Sequence, residues 1–194
     1  MLKEIKENSE KYGTTYDIAA ILITRPDLAT GKDILNSLEY YHFRTSHFIN
    51  FYLPGYGAYW TKEEYLDGKV VTEIDDVKWS FSNQRFAKFI EDIEEYSKWR
   101  YSGESDLILA EVKDGILSFE RVLEFHLDNM LRDKTIVSVY QFFEEIVHIG
   151  REESSMNQIG SRIRIDKEKQ FVFDALLEKI PMHMGEVIKQ EKYF

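Results

Sequence analysis

Tyr16-Asp17-Ile18-Ala19-Ala20-Ile21-Leu22-Ile23-Thr24 runs into Arg25-Pro26-Asp27, and further along His47-Phe48-Ile49-Asn50-Phe51-Tyr52-Leu53 runs into Pro54-Gly55. The first stretch is apolar almost without interruption, the pattern of a strand covered on both faces. Pro26 has no N–H for a ladder and stops the strand. Between the two stretches Thr30-Gly31-Lys32-Asp33 offers an N-cap, and Ile34, Leu35, Leu38, Tyr41 and His42 recur at helical spacing. Strand, helix and strand in this order read as a βαβ unit with a right-handed crossover. The two strands should then lie side by side and parallel, with a crevice beyond their C-terminal ends.

Outward from this unit, residues 55–66 are rich in glycine and tyrosine and lack periodicity, which suggests a loop or lid. Lys69–Ile74 and Val77–Phe81 should pair around Asp75-Asp76. Phe86, Phe89, Ile90, Ile93 and Tyr96 mark a helix capped by Ser82 or Asn83. Leu107–Lys113 and Ile116–Phe119 flank Asp114-Gly115, a strong hairpin cue because both turn residues take positive φ. Ile136–Ile149 reads as a helix stopped by Gly150, residues 161–165 as a short strand, and residues 171–180 as a helix broken at Pro181. The tail from Met182 reads as a short helix or a loose end. The expected fold is α/β: a central sheet started by the βαβ unit, extended by an antiparallel hairpin, flanked by helices and mostly helical in its last third. Residues 1–194 form one domain, with 127–194 as a possible boundary for a helical subdomain.

Composition narrows the function classes. The chain has 194 residues, 43% hydrophobic and 31% charged, an ordinary globular balance. With no cysteine, it has no disulfides, no thiolate catalysis and no Cys-ligated zinc or iron–sulfur centre. The charged start Met1–Glu7 has no secretory apolar core, and no apolar run is long enough to span a membrane, so the cytoplasm is the expected location and no membrane contact is expected. The formal charge of −10 repels phosphate backbones. The densest basic stretch, Arg162, Arg164, Lys167 and Lys169, is diluted by Asp166 and Glu168, so no nucleic-acid partner is expected.

The loop after the first strand is the leading ligand site, because anions collect where helix N-termini present free N–H groups. It holds Thr24, Arg25, Gly31 and Lys32. Pro26 and Asp33 occupy positions where a Walker A loop needs glycine and a hydroxyl, which excludes a P-loop. If the 55–66 segment closes as a lid over a nucleotide or sugar, Tyr56, Tyr59 and Trp60 could stack its ring, with Glu63 and Glu64 as acids for glycosyl-type chemistry. The ordinary alternatives are a capped helix start and a packed surface loop.

Other patterns are weaker. Glu111-Val112-Lys113 has the acid-x-lysine form of Mg²⁺-dependent nucleases, with Asp75, Asp76 or Asp106 as second carboxylate, but it is also what a solvent-facing hairpin end carries. Glu39/His42 and Glu145/His148 repeat the Glu-x-x-His of di-iron bundles, a fold that the βαβ start contradicts. Met182-His183-Met184 offers soft ligands, yet such a short segment is more often an anchor. No Gly-x-Ser-x-Gly is present, and none of His42, His47, His126, His148 and His183 is spaced from a nucleophile. Trp99–Glu104 is distinctive in composition but suggests no mechanism. No cofactor is expected. The leading expectation is a non-catalytic binding or regulatory module, acting through a protein partner or homo-oligomer or on a small anionic, nucleotide-like ligand. The runner-up is a small enzyme on a nucleotide- or sugar-like substrate in the strand-end crevice.

Overall fold

The structure, a computed structural model, describes residues 16–45, 49–60, 66–113, 116–152, 159–163 and 188–191. Met1–Glu7, His47, Glu63, Glu64, Asp114, Gly115, Lys167, Lys169, residues 171–181 and Met182-His183-Met184 lie outside the described residues, as do the side chains of His42 and Lys113.

The fold is mixed α/β. Strand β1 (Tyr16–Ile23) pairs in parallel with β2 (Ile49–Tyr52), Ile18 opposite Ile49 and Ile21 opposite Tyr52. Two short helices join them, α1 (Ala29–Asn36) and α2 (Leu38–Thr45), where the apolar spacing suggested one. Ser37 separates the helices: it closes α1 through its N–H on Ile34 O, while its own carbonyl receives Tyr41 N–H. On its other side β1 runs antiparallel to β6 (Asp106–Lys113), which pairs antiparallel with β7 (Ile116–His126). β7 in turn pairs antiparallel with β8 (Ile188–Glu191), giving the order β2-β1-β6-β7-β8.

A second, antiparallel sheet has the order β3-β5-β4, from β3 (Tyr56–Ala58), β4 (Lys69–Ile74) and β5 (Val77–Phe81). The start of the expected lid is therefore an edge strand, because Tyr56 and Ala58 pair with Phe81 and Trp79. Helix α3 (Asn83–Tyr96) follows, with Ser82 Oγ accepting Arg85 N–H as its N-cap. After β7 come α4 (Leu127–Arg132) and α5 (Val139–Glu152).

Side-chain alternation along the main sheet divides the core in two. Ala20, Leu22, Leu107, Leu109, Leu123 and Phe125 face a cluster with Met130 of α4 and Phe142, Phe143 and Ile146 of α5. Ile21, Ile23, Ile108, Ala110 and Val122 face the other way, against Tyr56, Ile74 and Phe81 of the small sheet, Phe86 and Ile93 of α3, and Trp99. The main sheet is the middle of three layers, which accounts for the unbroken apolar run in β1.

Several local expectations differ from the structure. Gly150 does not stop α5; the helix continues through it, because a Cβ there would press on the Ile49 side chain, so glycine lets α5 approach β2. Residues 159–163 are helical rather than extended, with Ile159 and Ile163 buried in the first cluster. Residues 188–191 are a strand rather than helix or loose end. β7 extends beyond Phe119 to His126, across a break in register: it advances four residues, from Ser118 to Val122, where β6 retreats one, from Glu111 to Ala110.

Candidate functional site

The parallel β1–β2 pair has its C-terminal end where Thr24 leaves the sheet. In the antiparallel neighbours the matching row is the start of β6 and the end of β7: Ile23 lies opposite Asp106, and Asp106 opposite His126. Three connecting segments meet here: residues 24–28, residues 99–105 and the turn from β7 into α4.

Thr24 is buried and its Oγ1 lies 2.7 Å from Ser105 Oγ, while its carbonyl accepts a 3.1 Å hydrogen bond from the Tyr56 hydroxyl. Ser105 N–H donates to Asp128 Oδ2 at 2.7 Å, and the Ser105 carbonyl accepts Leu127 N–H at 2.9 Å. Thr30, expected as an N-cap, instead donates its hydroxyl to Asp128 Oδ1 at 2.5 Å. The N-cap position is Leu28, which has no side-chain cap to offer. Gly31 is the closest approach in the loop, since a Cβ would overlap the Arg25 carbonyl and crowd Thr24 Oγ1.

Asp106 is fully buried at the start of β6. Its Oδ2 accepts the Ser102 hydroxyl at 2.7 Å, and its Oδ1 lies 2.8 Å from His126 Nδ1. The other ring nitrogen, Nε2, lies 3.4 Å from Glu124 Oε1, also buried. Both ring nitrogens of His126 thus lie against carboxylate oxygens. The order Ser102–Asp106–His126 places the carboxylate between hydroxyl and imidazole, so the serine is not activated as in a hydrolytic triad.

The wall facing the small sheet is aromatic. Ring centroids run from Trp99 to Tyr101 (6.2 Å), Tyr101 to Phe86 (5.5 Å), Phe86 to Phe81 (5.7 Å) and Phe81 to Tyr56 (4.7 Å). Burial, reinforced by the Asp106 charge, pushes the Tyr101 hydroxyl up to about 12, with Arg25 opposing. Burial likewise raises Tyr56, followed by Asp27. Both phenols stay protonated donors at neutral pH. Arg25 Nη2 donates to Asp27 Oδ2 at 2.9 Å on the surface. Three buried donor atoms meet no acceptor among the described residues: Arg25 Nε, Trp99 Nε1 and the Tyr101 hydroxyl.

Of the residues singled out from sequence, the structure brings Thr24, Arg25, Gly31 and Tyr56 together. Lys32 is exposed on α1, Tyr59 is 83% exposed with φ 59°, and Trp60 lays its ring over Gly57 of β3. Sequence reasoning missed Tyr101, Ser102, Ser105, Asp106, Glu124 and Asp128 as members of this cluster and gave His126 no partner. The one available signal was polarity inside the apolar rows of β6 and β7.

The remaining patterns stay apart. Glu111 and Asp106 are five residues apart on one strand, roughly 17 Å at the rise of an extended chain, and Asp75 and Asp76 form the tip of the small-sheet hairpin. Among the described residues no three His, Asp or Glu side chains are placed to hold a metal ion. Helices α2 and α5, which carry Glu39 and Glu145, pack through rings, Tyr40 on Tyr140 at 5.1 Å and Tyr41 on Phe143 at 5.2 Å. Among the described residues no helix is long and apolar enough to cross a membrane. The chain matches no protein-family model, no curated protein and no solved structure.

Proposed function

We propose that the chain is a non-catalytic binding module whose ligand docks at the C-terminal end of β1. The observation that carries this reading is the hydrogen-bonding balance of the cluster. Asp106, Asp128 and Asp27 are each supplied with donors, whereas Arg25 Nε and the Tyr101 hydroxyl are buried donors left without acceptors. A buried donor with no partner costs about 1–3 kcal/mol, a cost that a ligand acceptor would remove. The surplus capacity is for accepting groups, so the ligand is acceptor-rich, as a small anion is.

The serine–aspartate–histidine order supports binding over hydrolysis, because the Ser102 hydroxyl bonds the carboxylate while both imidazole nitrogens face carboxylates. Thermal-shift measurements with a panel of small anions test the reading. A ligand at a hundred times its Kd stabilises the folded state by about 2.7 kcal/mol, a readily measured rise in Tm. Loss of that rise in Arg25→Gln supports the site. A rise undiminished in Arg25→Gln would place the ligand elsewhere.

Protein contact is a second part of this reading, favoured by the half-exposed Tyr40–Tyr140 pair where α2 meets α5. Sedimentation over a hundredfold concentration range tests it for self-association: a Tyr140→Lys variant should stay monomeric where the parent associates.

A further inference from the structure

Residues two apart on a strand share a face, so Glu124 and His126 of β7 stand in one row, with Asp106 of β6 opposite His126 in register. Further along this face Ile108, Ala110 and Val122 are buried and apolar. The Asp106 and Glu124 side chains are 0% and 8% exposed, the His126 ring 21%. Nδ1 lies 2.8 Å from Asp106 Oδ1, and Nε2 lies 3.4 Å from Glu124 Oε1. A neutral imidazole has one N–H and one lone pair. Either tautomer therefore turns a lone pair on a carboxylate oxygen in a place where little water screens the repulsion. A protonated ring turns an N–H on each. Burial opposes that charge, but a carboxylate close by moves a pKa by about 1–3, and two of them outweigh the burial of a ring still one-fifth exposed.

The other charges on the segments that meet here leave this balance standing. Arg25 is paired with Asp27, and Arg132 with Glu104. Asp128 in the first turn of α4 adds negative charge, Glu94 of α3 accepts Tyr101 N–H, and the Tyr101 hydroxyl, pushed up to about 12 by burial, stays neutral. The opposing cation is Lys189 of β8, which holds the register position opposite Glu124. We propose that His126 keeps its proton through neutral pH as an imidazolium between Asp106 and Glu124, and that this proton latches the turn from β7 into α4. The residues next to His126 are those that tie the turn down: Leu127 N–H donates to the Ser105 carbonyl at 2.9 Å, and Asp128 accepts Ser105 N–H at 2.7 Å. When the proton leaves, two carboxylates flank a neutral ring and the turn loosens. The latch goes beyond the ligand reading and does not depend on it.

A histidine whose pKa is raised in the folded state contributes stability that is present at low pH and lost as pH rises through the folded value. The folding equilibrium constant should therefore fall by up to tenfold per pH unit from about 6.5, the value of a free histidine, to the midpoint of the folded ring. The test follows the histidine ring signals of the whole chain from pH 5 to 10, with His126 assigned by its loss in His126→Gln. The expected midpoint lies above about pH 8. In Glu124→Gln a neutral ring satisfies both neighbours, because the carboxamide donates to Nε2, so the midpoint should drop by at least about one pH unit. Amide-exchange protection of Ser105 and Leu127 should fall across the midpoint in the parent and hold at the same pH in Glu124→Gln. A parent midpoint at or below about 6.5 overturns the proposal, and this measurement decides even where a variant fails to fold. A midpoint unchanged in Glu124→Gln overturns the role of the second carboxylate, and protection that stays constant across the parent's midpoint overturns the latch.

Discussion

Asp106 is the residue on which the cluster turns. It is fully buried and lies against three polar groups, the Ser102 hydroxyl, the more distant Ser102 N–H and His126 Nδ1. Removing it leaves the Ser102 hydroxyl and His126 Nδ1 without the carboxylate they face. Asp106→Ala should lower stability by about 3–5 kcal/mol, the usual cost of breaking one side of a buried charge pair. Urea denaturation measures this, and a loss below about 1 kcal/mol would mean the carboxylate is not held as described. The two close-approach glycines make a contrasting pair. At Gly31 the obstruction is the Arg25 carbonyl, backbone that cannot swing aside, so Gly31→Ala should cost about 1–3 kcal/mol. At Gly150 the obstruction is the far end of the Ile49 side chain, and alanine gains about 1 kcal/mol of helix propensity, so Gly150→Ala should be close to neutral.

Among the elements, the hairpin of β4 and β5 carries a visible strain. Asp75 and Asp76 have φ 54° and 61°, the two left-handed positions of a type I′ turn, with Ile74 opposite Val77. Asparagine and glycine adopt these angles more readily than a pair of aspartates. The double change Asp75→Asn, Asp76→Gly should therefore stabilise by about 0.5–1 kcal/mol, read from the shift in urea midpoint. The start of α3 offers a pH signature. Asp67 accepts hydrogen bonds from the Ser82 hydroxyl at 2.6 Å and from Gln84 N–H at 3.0 Å, and these hold its carboxyl below the usual value of 3.8. A carboxylate depressed in the folded state stabilises above its unfolded pKa and loses that contribution as pH falls through the folded one. Asp67→Asn should lower stability at neutral pH, leave it nearly unchanged at the acid extreme and so flatten the acid side of the stability–pH curve, as acid titrations followed by circular dichroism would show.

These same elements show what was legible in the sequence. Periodicity found β1, β2, the β4–β5 hairpin, α3 and the start of the β6–β7 hairpin, because each signal lies within a few residues. It missed α4, since Leu127–Arg132 is too short to repeat, and the far half of β7, since the register break after Ser118 disrupts the alternation. Gly150 read as a stop because glycine's helix cost is local, whereas its packing against Ile49 is not.

At the scale of the whole molecule, the site is legible only in part. Thr24, Arg25 and Gly31 were singled out because the end of a β1 strand in a βαβ unit is a known gathering point for ligands, and Tyr56 as an aromatic of the following loop; the structure sets the four close together. Their partners were not, because the bonds that make the cluster span 81 residues from Thr24 to Ser105 and 98 from Thr30 to Asp128. No local pattern reports such pairings. They follow from β6 entering the sheet antiparallel beside β1, which sets the start of one strand against the end of the other. The middle-layer sheet then buries this row between α4 and the small sheet. Polar groups survive there because nearly all of them are paired.

The account depends on the end of β1 holding donors that a ligand completes. The most direct measurement is a ¹⁵N–¹H spectrum of the Arg25 Nε–Hε group, assigned by its loss in Arg25→Gln, during titrations with the small anions of the thermal-shift panel. The account predicts a cross-peak that moves and saturates with at least one of them. A cross-peak that stays in place while each anion is raised to high concentration would contradict it.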